Sequence, residues 1–450
     1  MRQWIAIFVA AGVVAASIPF IRRHDGELTS LLNKAKVAVG APPAGTEKAV
    51  DPPALSDIDL ANIDDRREVA LAPAHGKRSA ELTLDTVLQR AALGLLRAGR
   101  VHEGAAVLTD VKTGKALVWA SSNQGRARDL VVEATAPSAS VFKVVTGAAL
   151  VEAGAVLDEK HCYSGGEQEV SARDLEADPE RDKYCTTLPM AMGRSLNTVF
   201  ARLALKHIER PTLEAAAHRL GWGVLVPFDV PVAPSTLDLP QDELEYARAA
   251  AGFWHSTMSP FQGANLAQTI ANRGEMIRSF IVERVVGEDG QPIYERPAGR
   301  QVIKRALDER TAQALTQMLE QTVRNGTSFK SFHDRSGRPY LADVRVAGKT
   351  GTLTKASPET LYTWFVGFAP AREPEVAIAV LVSTRGQWVV KASDVACSLL
   401  RIYFADQGAP GVRYPYGYHG PRRSPDKEKQ PAPQPSGAAA ASASAPAVEG

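Results

Sequence analysis

Cysteine is scarce in this chain, with three among 450 residues. That excludes a disulfide scaffold, which needs several bridges in a short sequence. Aromatic residues reach only 6%, and no Lys/Arg block is interleaved with them. The formal net charge is +2. The electrostatic footprint of a nucleic-acid partner is therefore missing. The nine histidines are scattered without metal-ligand spacing, so neither a metal nor a cofactor is expected. Long apolar runs are rare too, and only one is uncharged over a membrane-spanning length. What remains is ordinary for a globular protein: 45% apolar and 23% charged residues, enough for a sizeable core. The length allows two or three domains, or one large domain with tails.

The one long run is Trp4 to Ile21, with Arg2 before it and Arg22-Arg23 after. It just suffices to cross a bilayer, which takes about 17–25 residues. Two readings stand: an uncleaved membrane anchor, or a secretory signal cut near Val14-Ala15-Ala16. The flanking charges do not settle orientation. Residues 1–23 are expected to be this anchor or signal, and residues 24–68 a Pro-rich linker. A folded domain is expected over 69–406, and a disordered Pro/Ala/Ser-rich tail over 407–450.

Within the domain, Val69-Ala70-Leu71 and Leu82-Thr83-Leu84 read as paired strands, and Val87 to Leu96 as a helix. Ala105 to Val111 and Ala116 to Ser121 form a hairpin about Lys112-Thr113-Gly114-Lys115. Leu188 to about Gly326 is mostly helical, with helices at Thr198–Ile208, Leu213–Leu220, Phe261–Arg273 and Glu309–Arg324. Strands return at Val344–Thr354, Tyr362–Ala369 and Val376–Ser383, and a helix closes at Val390–Phe404. The fold class expected is α/β (α+β): an antiparallel sheet built from both ends of the domain, flanked by helices, with an inserted mostly helical subdomain. Cys162 and Cys185 bracket a polar, acidic stretch. They suit one disulfide in an oxidising compartment, or two unpaired thiols. Cys397 reads as a buried thiol in an apolar helix.

Three short motifs carry chemistry. Ser140-Val141-Phe142-Lys143 opens an apolar helical run, so Lys143 falls one turn from Ser140 on the same face. Serine needs a base to become a nucleophile, and a lysine serves if burial and nearby positive charge depress its pKa. Ser-x-x-Lys alone is weak, since about one or two arise by chance in a chain this long. Ser424-Pro425-Asp426-Lys427 is such a copy, in the tail. Ser195-Leu196-Asn197, at a helix start, supplies a second hydroxyl and a carboxamide. Equally, that pair can simply cap the helix. Lys349-Thr350-Gly351-Thr352 lies on a strand, where lysine and hydroxyls bind a carboxylate and glycine admits a close backbone. The bland reading is a solvated lysine and a bulge. Decoys exist at Ser121-Ser122-Asn123 and Lys112-Thr113-Gly114, each in the wrong context.

In that order and context the three motifs are far more specific. The chain resembles the transpeptidase domain of penicillin-binding proteins from about Ala80 to Ala405. Further likeness lies in Val118-Trp119-Ala120-Ser121, Met258-Ser259-Pro260-Phe261-Gln262, Ala271-Asn272-Arg273-Gly274, Gly326-Thr327 and Trp364 to Pro370. It looks closest to the class B, monofunctional type, with no glycosyltransferase domain ahead and the usual pedestal domain absent or reduced. One departure is local: Pro137-Ser138-Ala139 puts the proline one residue further from Ser140 than in the family.

The resemblance implies a peptidoglycan D,D-transpeptidase acting through a Ser140 acyl-enzyme on stem peptides ending D-Ala-D-Ala, and acylated by β-lactam antibiotics. It assigns Lys143 as base, Ser195 as proton carrier and Asn197 as contact to the substrate amide. Lys349, Thr350 and Thr352 bind the terminal carboxylate, and Gly351 lets it approach. Phe142 is expected in the core. The implied place is the cytoplasmic (inner) membrane, single-pass, with the domain outside, and a cell-wall synthesis complex as partner. A D,D-carboxypeptidase would give the acyl group to water instead. A serine β-lactamase is disfavoured because the Glu-x-x-Leu-Asn pattern is missing. A non-enzymatic lactam-binding scaffold should have lost a motif residue, and none is lost.

Overall fold

Residue parity along one strand explains the architecture. In Val376–Thr384 every residue is buried, and the side chains divide by turns. Val376, Ile378, Val380 and Val382 enter one apolar cluster, while Ala377, Ala379 and Leu381 enter another. A strand covered on both faces reads as a nearly continuous apolar run, and its period of two puts the β-branched residues on one face and two alanines with Leu381 on the other. The computed structural model describes residues 55–165, 169–386 and 390–418.

This strand is the middle of a five-stranded antiparallel sheet. The order is Ala347–Ala356, Glu359–Ala369, Val376–Thr384, Glu103–Asp110, Ala116–Ser122. Both ends of the domain supply it, as the pattern of strands predicts. The helix Pro260–Ala271 covers the small-residue face. Ser259 caps it by accepting the Gln262 N–H, and Pro260 occupies its first turn. Its approach is close: a Cβ on Gly263 would stand 3.0 Å from the Ala379 Cβ. The branched face meets the helices Thr86–Ala98 and Ala392–Asp406 through Leu88, Leu96, Val395, Leu399 and Ile402. The Cys397 thiol is buried there, and burial pushes it up to about 12.

Between the hairpin and the Ala347–Ala356 strand lie the helices Lys143–Glu152, Leu188–Arg194, Asn197–His207, Arg210–Arg219, Glu243–Ala250 and Glu309–Arg324. The mostly helical reading of this insertion misses one stretch. Glu275–Ile277 pairs with Val302–Arg305, and Val282–Val286 pairs with both Pro292–Glu295 and Arg78–Leu82. These strands are short and half-exposed. One of their partners is the N-terminal hairpin Leu71–Ala74/Arg78–Leu82, far away in sequence, so local alternation announces them only weakly.

The packed chain also reaches beyond the 69–406 span at both ends. Ile58 and Leu60 are buried, and Asp59 N–H donates to the Pro73 carbonyl at 2.9 Å. Val412, Tyr414 and Tyr418 pack on the sheet's branched side. No helix of the described residues is long and apolar enough to cross a membrane. The expected anchor or signal, all but the end of the linker, and the tail from residue 419 lie outside the described residues.

Candidate active site

The approach to Ser140 is fixed residue by residue. Ala136–Pro137 pairs with Thr257–Met258. Ser138 N–H donates to the Ser256 carbonyl at 2.9 Å. The buried Trp364 Nε1–H donates to the Pro137 carbonyl at 2.8 Å. The chain then reverses at Ala139, whose φ is +50°. Gly252, itself at φ +82°, makes room: a Cβ there would stand 2.4 Å from the Ala139 carbonyl oxygen. Ala139–Phe142 forms a 3₁₀ turn that runs into the helix Lys143–Glu152. The sequence pattern puts Ser140 at the N-terminus of the α-helix, whereas the helix begins only at Lys143. In the 3₁₀ turn, residues three apart eclipse, and this aligns Ser140 with Lys143. Phe142 is buried edge-on against Trp222, with ring centroids 5.6 Å apart, a core contact.

Lys143 has 0% of its surface exposed. Its Nζ lies 3.0 Å from Ser140 Oγ and 2.6 Å from Asn197 Oδ1, and it also reaches the Ala251 carbonyl. Burial, and then the charge of Lys349, hold the ammonium well below its ordinary pKa. As an ammonium, Lys143 satisfies all three acceptors. As a neutral amine it keeps two N–H donors and presents a lone pair to the Ser140 hydroxyl. Phe200 stands under Nζ at 5.8 Å from its ring centroid.

Ser195 closes the helix Leu188–Arg194 in the left-handed conformation, φ +59°. It does not cap the next helix, because the N-cap is Leu196 and makes no side-chain cap. Its hydroxyl instead accepts from Lys349 Nζ at 2.9 Å. Asn197 is the first residue of the helix Asn197–His207, buried and turned to Lys143.

Lys349 lies on the edge strand Ala347–Ala356 with 0% of its surface exposed. It also donates to the Thr350 carbonyl at 2.8 Å. Burial lowers its pKa to about 7. Thr350 and Thr352 alternate to the other face of the strand and line the same cleft as Ser140, Ser195 and Asn197, a cavity of about 1390 Å³. At Gly351 the strand passes so near the turn that carries Ser140 that a Cβ would meet the Ser138 carbonyl oxygen at 3.2 Å.

All eight residues of the three motifs therefore meet around one cleft. The decoys stay away: Thr113 is tied to Asp110 in its hairpin turn, and the Ser121 hydroxyl donates to the Arg128 carbonyl. The Ser424 copy lies outside the described residues. Sequence reasoning missed the Ala251 carbonyl, since a backbone group carries no residue signature. It missed Thr327 as well, whose hydroxyl meets that of Thr350 at 2.5 Å. The signal for Thr327 was present in Gly326-Thr327 but had no assigned role. Cys162 and Cys185 face each other across paired strands and form a disulfide. The loop they close brings Glu169 and Val170 to the cleft.

Comparison with known proteins gives a consistent picture. A family model described as the penicillin binding protein transpeptidase domain matches residues 104–397. The peptidoglycan D,D-transpeptidase PbpA of Mycolicibacterium smegmatis is 28% identical over 263 residues, 57% of this chain and 51% of that protein. The chain spans about half the length of the curated relatives it matches. Among solved structures, the transpeptidase domain of a peptidoglycan glycosyltransferase from Eggerthella lenta is 26% identical. Its TM-score is 0.60, covering 73% of this chain and 83% of that one. Penicillin-binding protein A from Mycobacterium tuberculosis, as an imipenem acyl-enzyme complex, is 25% identical. Its TM-score is 0.60, covering 71% of this chain and 78% of that one.

Proposed function

The chain belongs to the penicillin-binding protein transpeptidase domain family, and from that premise we propose that it is a serine D,D-transpeptidase that cross-links peptidoglycan stem peptides. The observation that carries this is the buried Lys143 amine set between Ser140 Oγ and Asn197 Oδ1. Such an amine is neutral at a pH where ordinary lysine is charged, so it can take the serine proton. Ser140 Oγ attacks the penultimate D-alanine carbonyl, and the C–O bond forms. The C–N bond to the terminal D-alanine breaks, and Ser195 delivers a proton to the departing amine. The amine of a second stem peptide then attacks the ester and forms the new amide; its proton restores the Ser195 hydroxyl, the C–O bond to Ser140 breaks, and Lys143 returns its proton to Ser140 Oγ.

The other residues follow their placement. Lys349, Thr350 and Thr352 bind the donor's terminal carboxylate. Asn197 holds the substrate amide, and Gly351 keeps the strand close. The Ala347–Ala356 strand has no strand partner on its outer side among the described residues, so an extended peptide can add to that edge. Backbone N–H groups of Ser140 and Thr352 receive the oxyanion, a contribution of roughly a few kcal/mol. β-Lactams acylate Ser140, as the acyl-enzyme structure of the Mycobacterium tuberculosis relative supports. Residues 4–21 anchor the chain in the cytoplasmic membrane, with the folded part outside. The apolar run supports this, as does the disulfide, which suits an oxidising compartment.

The test is covalent labelling by a fluorescent penicillin. Wild type is labelled and Ser140→Ala is not, and equal labelling of the variant overturns Ser140 as nucleophile. A D-Ala-D-Ala donor incubated with an amine acceptor then yields cross-linked product. Hydrolysed donor alone would overturn transfer in favour of a carboxypeptidase.

A further inference from the structure

We propose that Thr327 is a positioning residue that holds Ser195 within hydrogen-bonding reach of Lys349, a proposal that rests on the acyl-transfer reading above. Gly326-Thr327 supplies no group to that mechanism, yet its segment is fastened to both walls of the cleft. On one side, Thr327 N–H donates to the Gly193 carbonyl at 3.0 Å, two residues ahead of Ser195. Gly326 packs so closely there that a Cβ would stand 2.0 Å from the Gly193 oxygen. On the other side, Thr327 Oγ1 meets Thr350 Oγ1 at 2.5 Å. The residue before Thr350 is Lys349, which donates to Ser195 Oγ at 2.9 Å and to the Thr350 carbonyl at 2.8 Å. The contacts close a ring: Gly193, Ser195, Lys349, Thr350, Thr327 and back to Gly193.

The ring matters because its halves belong to separate elements. Ser195 is held by the helix Leu188–Arg194, where its N–H donates to the Met192 carbonyl at 3.1 Å. Lys349 is held by the edge strand. The Thr327 joint adds a second side-chain tie beside the Lys349–Ser195 bond, which is itself a contact between two rotatable side chains. The turn carrying Thr327 is itself firm. Ser328 is fully buried and donates through both its N–H and its hydroxyl to the Thr322 carbonyl, each at 3.1 Å. Replacing the Thr327 hydroxyl opens one joint of the ring and leaves the backbone bond to Gly193 in place.

The measurement is the rate of acylation of the purified protein by a fluorescent penicillin across concentrations, which separates the limiting rate from half-saturation. Thr327→Val is expected to lower the limiting rate on the order of tenfold, with half-saturation and thermal midpoint nearly unchanged, and Thr327→Ser to restore it. In a Ser195→Ala background, Thr327→Val should have no further effect, because the residue acts through Ser195. A Thr327→Val rate equal to wild type, or an additive loss in the double variant, overturns the proposal. Should the valine variant fail to fold, Thr327→Ala carries the same expectations. Absence of labelling in wild type would instead sink the acyl-transfer reading.

Discussion

A lysine with no exposed surface costs free energy to keep charged, and this site has two, Lys143 and Lys349. Their assignments need opposite protonation states. Lys143 must be neutral to accept a proton, and Lys349 must be charged to hold a carboxylate. Acylation should therefore rise with pH as Lys143 loses its proton, and kcat/KM should fall above about pH 7 as Lys349 loses its own. In the complex the bound carboxylate raises the Lys349 pKa, so the alkaline limb of kcat should lie higher than that of kcat/KM. Coincident limbs in the two profiles would contradict this. The stability sign is separate. Between about pH 7 and 10.5 the unfolded chain holds the Lys349 proton and the folded chain does not, so this residue's contribution makes stability rise with pH across that window. Below it the full penalty is present. Lys349→Met should then raise stability at pH 7 by roughly 2–4 kcal/mol, lose that advantage near pH 10, and abolish acylation. Denaturant melts at the two pH values check it.

At the scale of the element, the nucleophile turn stands on contacts between backbones. Ala139 adopts a positive φ, a conformation that costs an L-residue about 1–2 kcal/mol, while Gly252 leaves space against its carbonyl. Ala139→Gly should stabilise the protein by about 0.5–1 kcal/mol, the relief being partly offset by the freer unfolded chain, and keep penicillin labelling. An unchanged or lower melting midpoint would show that the turn is not strained. This element also marks the limit of what the sequence discloses. The Ser140–Lys143 spacing was legible because chemistry needs those two side chains three apart. The Ala251 carbonyl on Lys143 and the reversal at Ala139 were not, because they are properties of backbone. The helix Glu309–Arg324 was legible to its ends, with Asp308 accepting the Thr311 N–H at its start and a clear apolar stripe. Val282–Val286 was not, because one of its two partners, Arg78–Leu82, comes from far away in the chain and its exposed positions blur the alternation. Ser195 was read as opening a helix, but its left-handed turn lets the hydroxyl face Lys349.

For the molecule as a whole, two devices tie distant segments together. One is the disulfide Cys162–Cys185, with a sequence separation of 23, reinforced by Arg202. That side chain donates to the Cys162, Asp174 and Glu176 carbonyls and pairs with Asp182. Val170 in this loop accepts from Arg248 at 2.8 Å, so the loop forms part of the cleft wall. Replacing both cysteines with serine should lower stability by about 2–4 kcal/mol. Identical denaturation midpoints for that variant and the oxidised wild type would refute it. The other device is the central sheet, in which Val376–Thr384 lies between Glu359–Ala369 and Glu103–Asp110. Lys349 and its threonines sit on the strand just outside this late pair.

That strand order sets a schedule for the protein's birth. While a ribosome is still extending the chain, Ser140 and Lys143 are already made. The strand that would seat Glu103–Asp110, and the one that carries Lys349, have yet to emerge. A growing chain holds a serine and a lysine in sequence but no cleft around them. The cleft cannot close before residues 347–384 join a sheet whose first two strands end at Ser122, about half of the chain earlier.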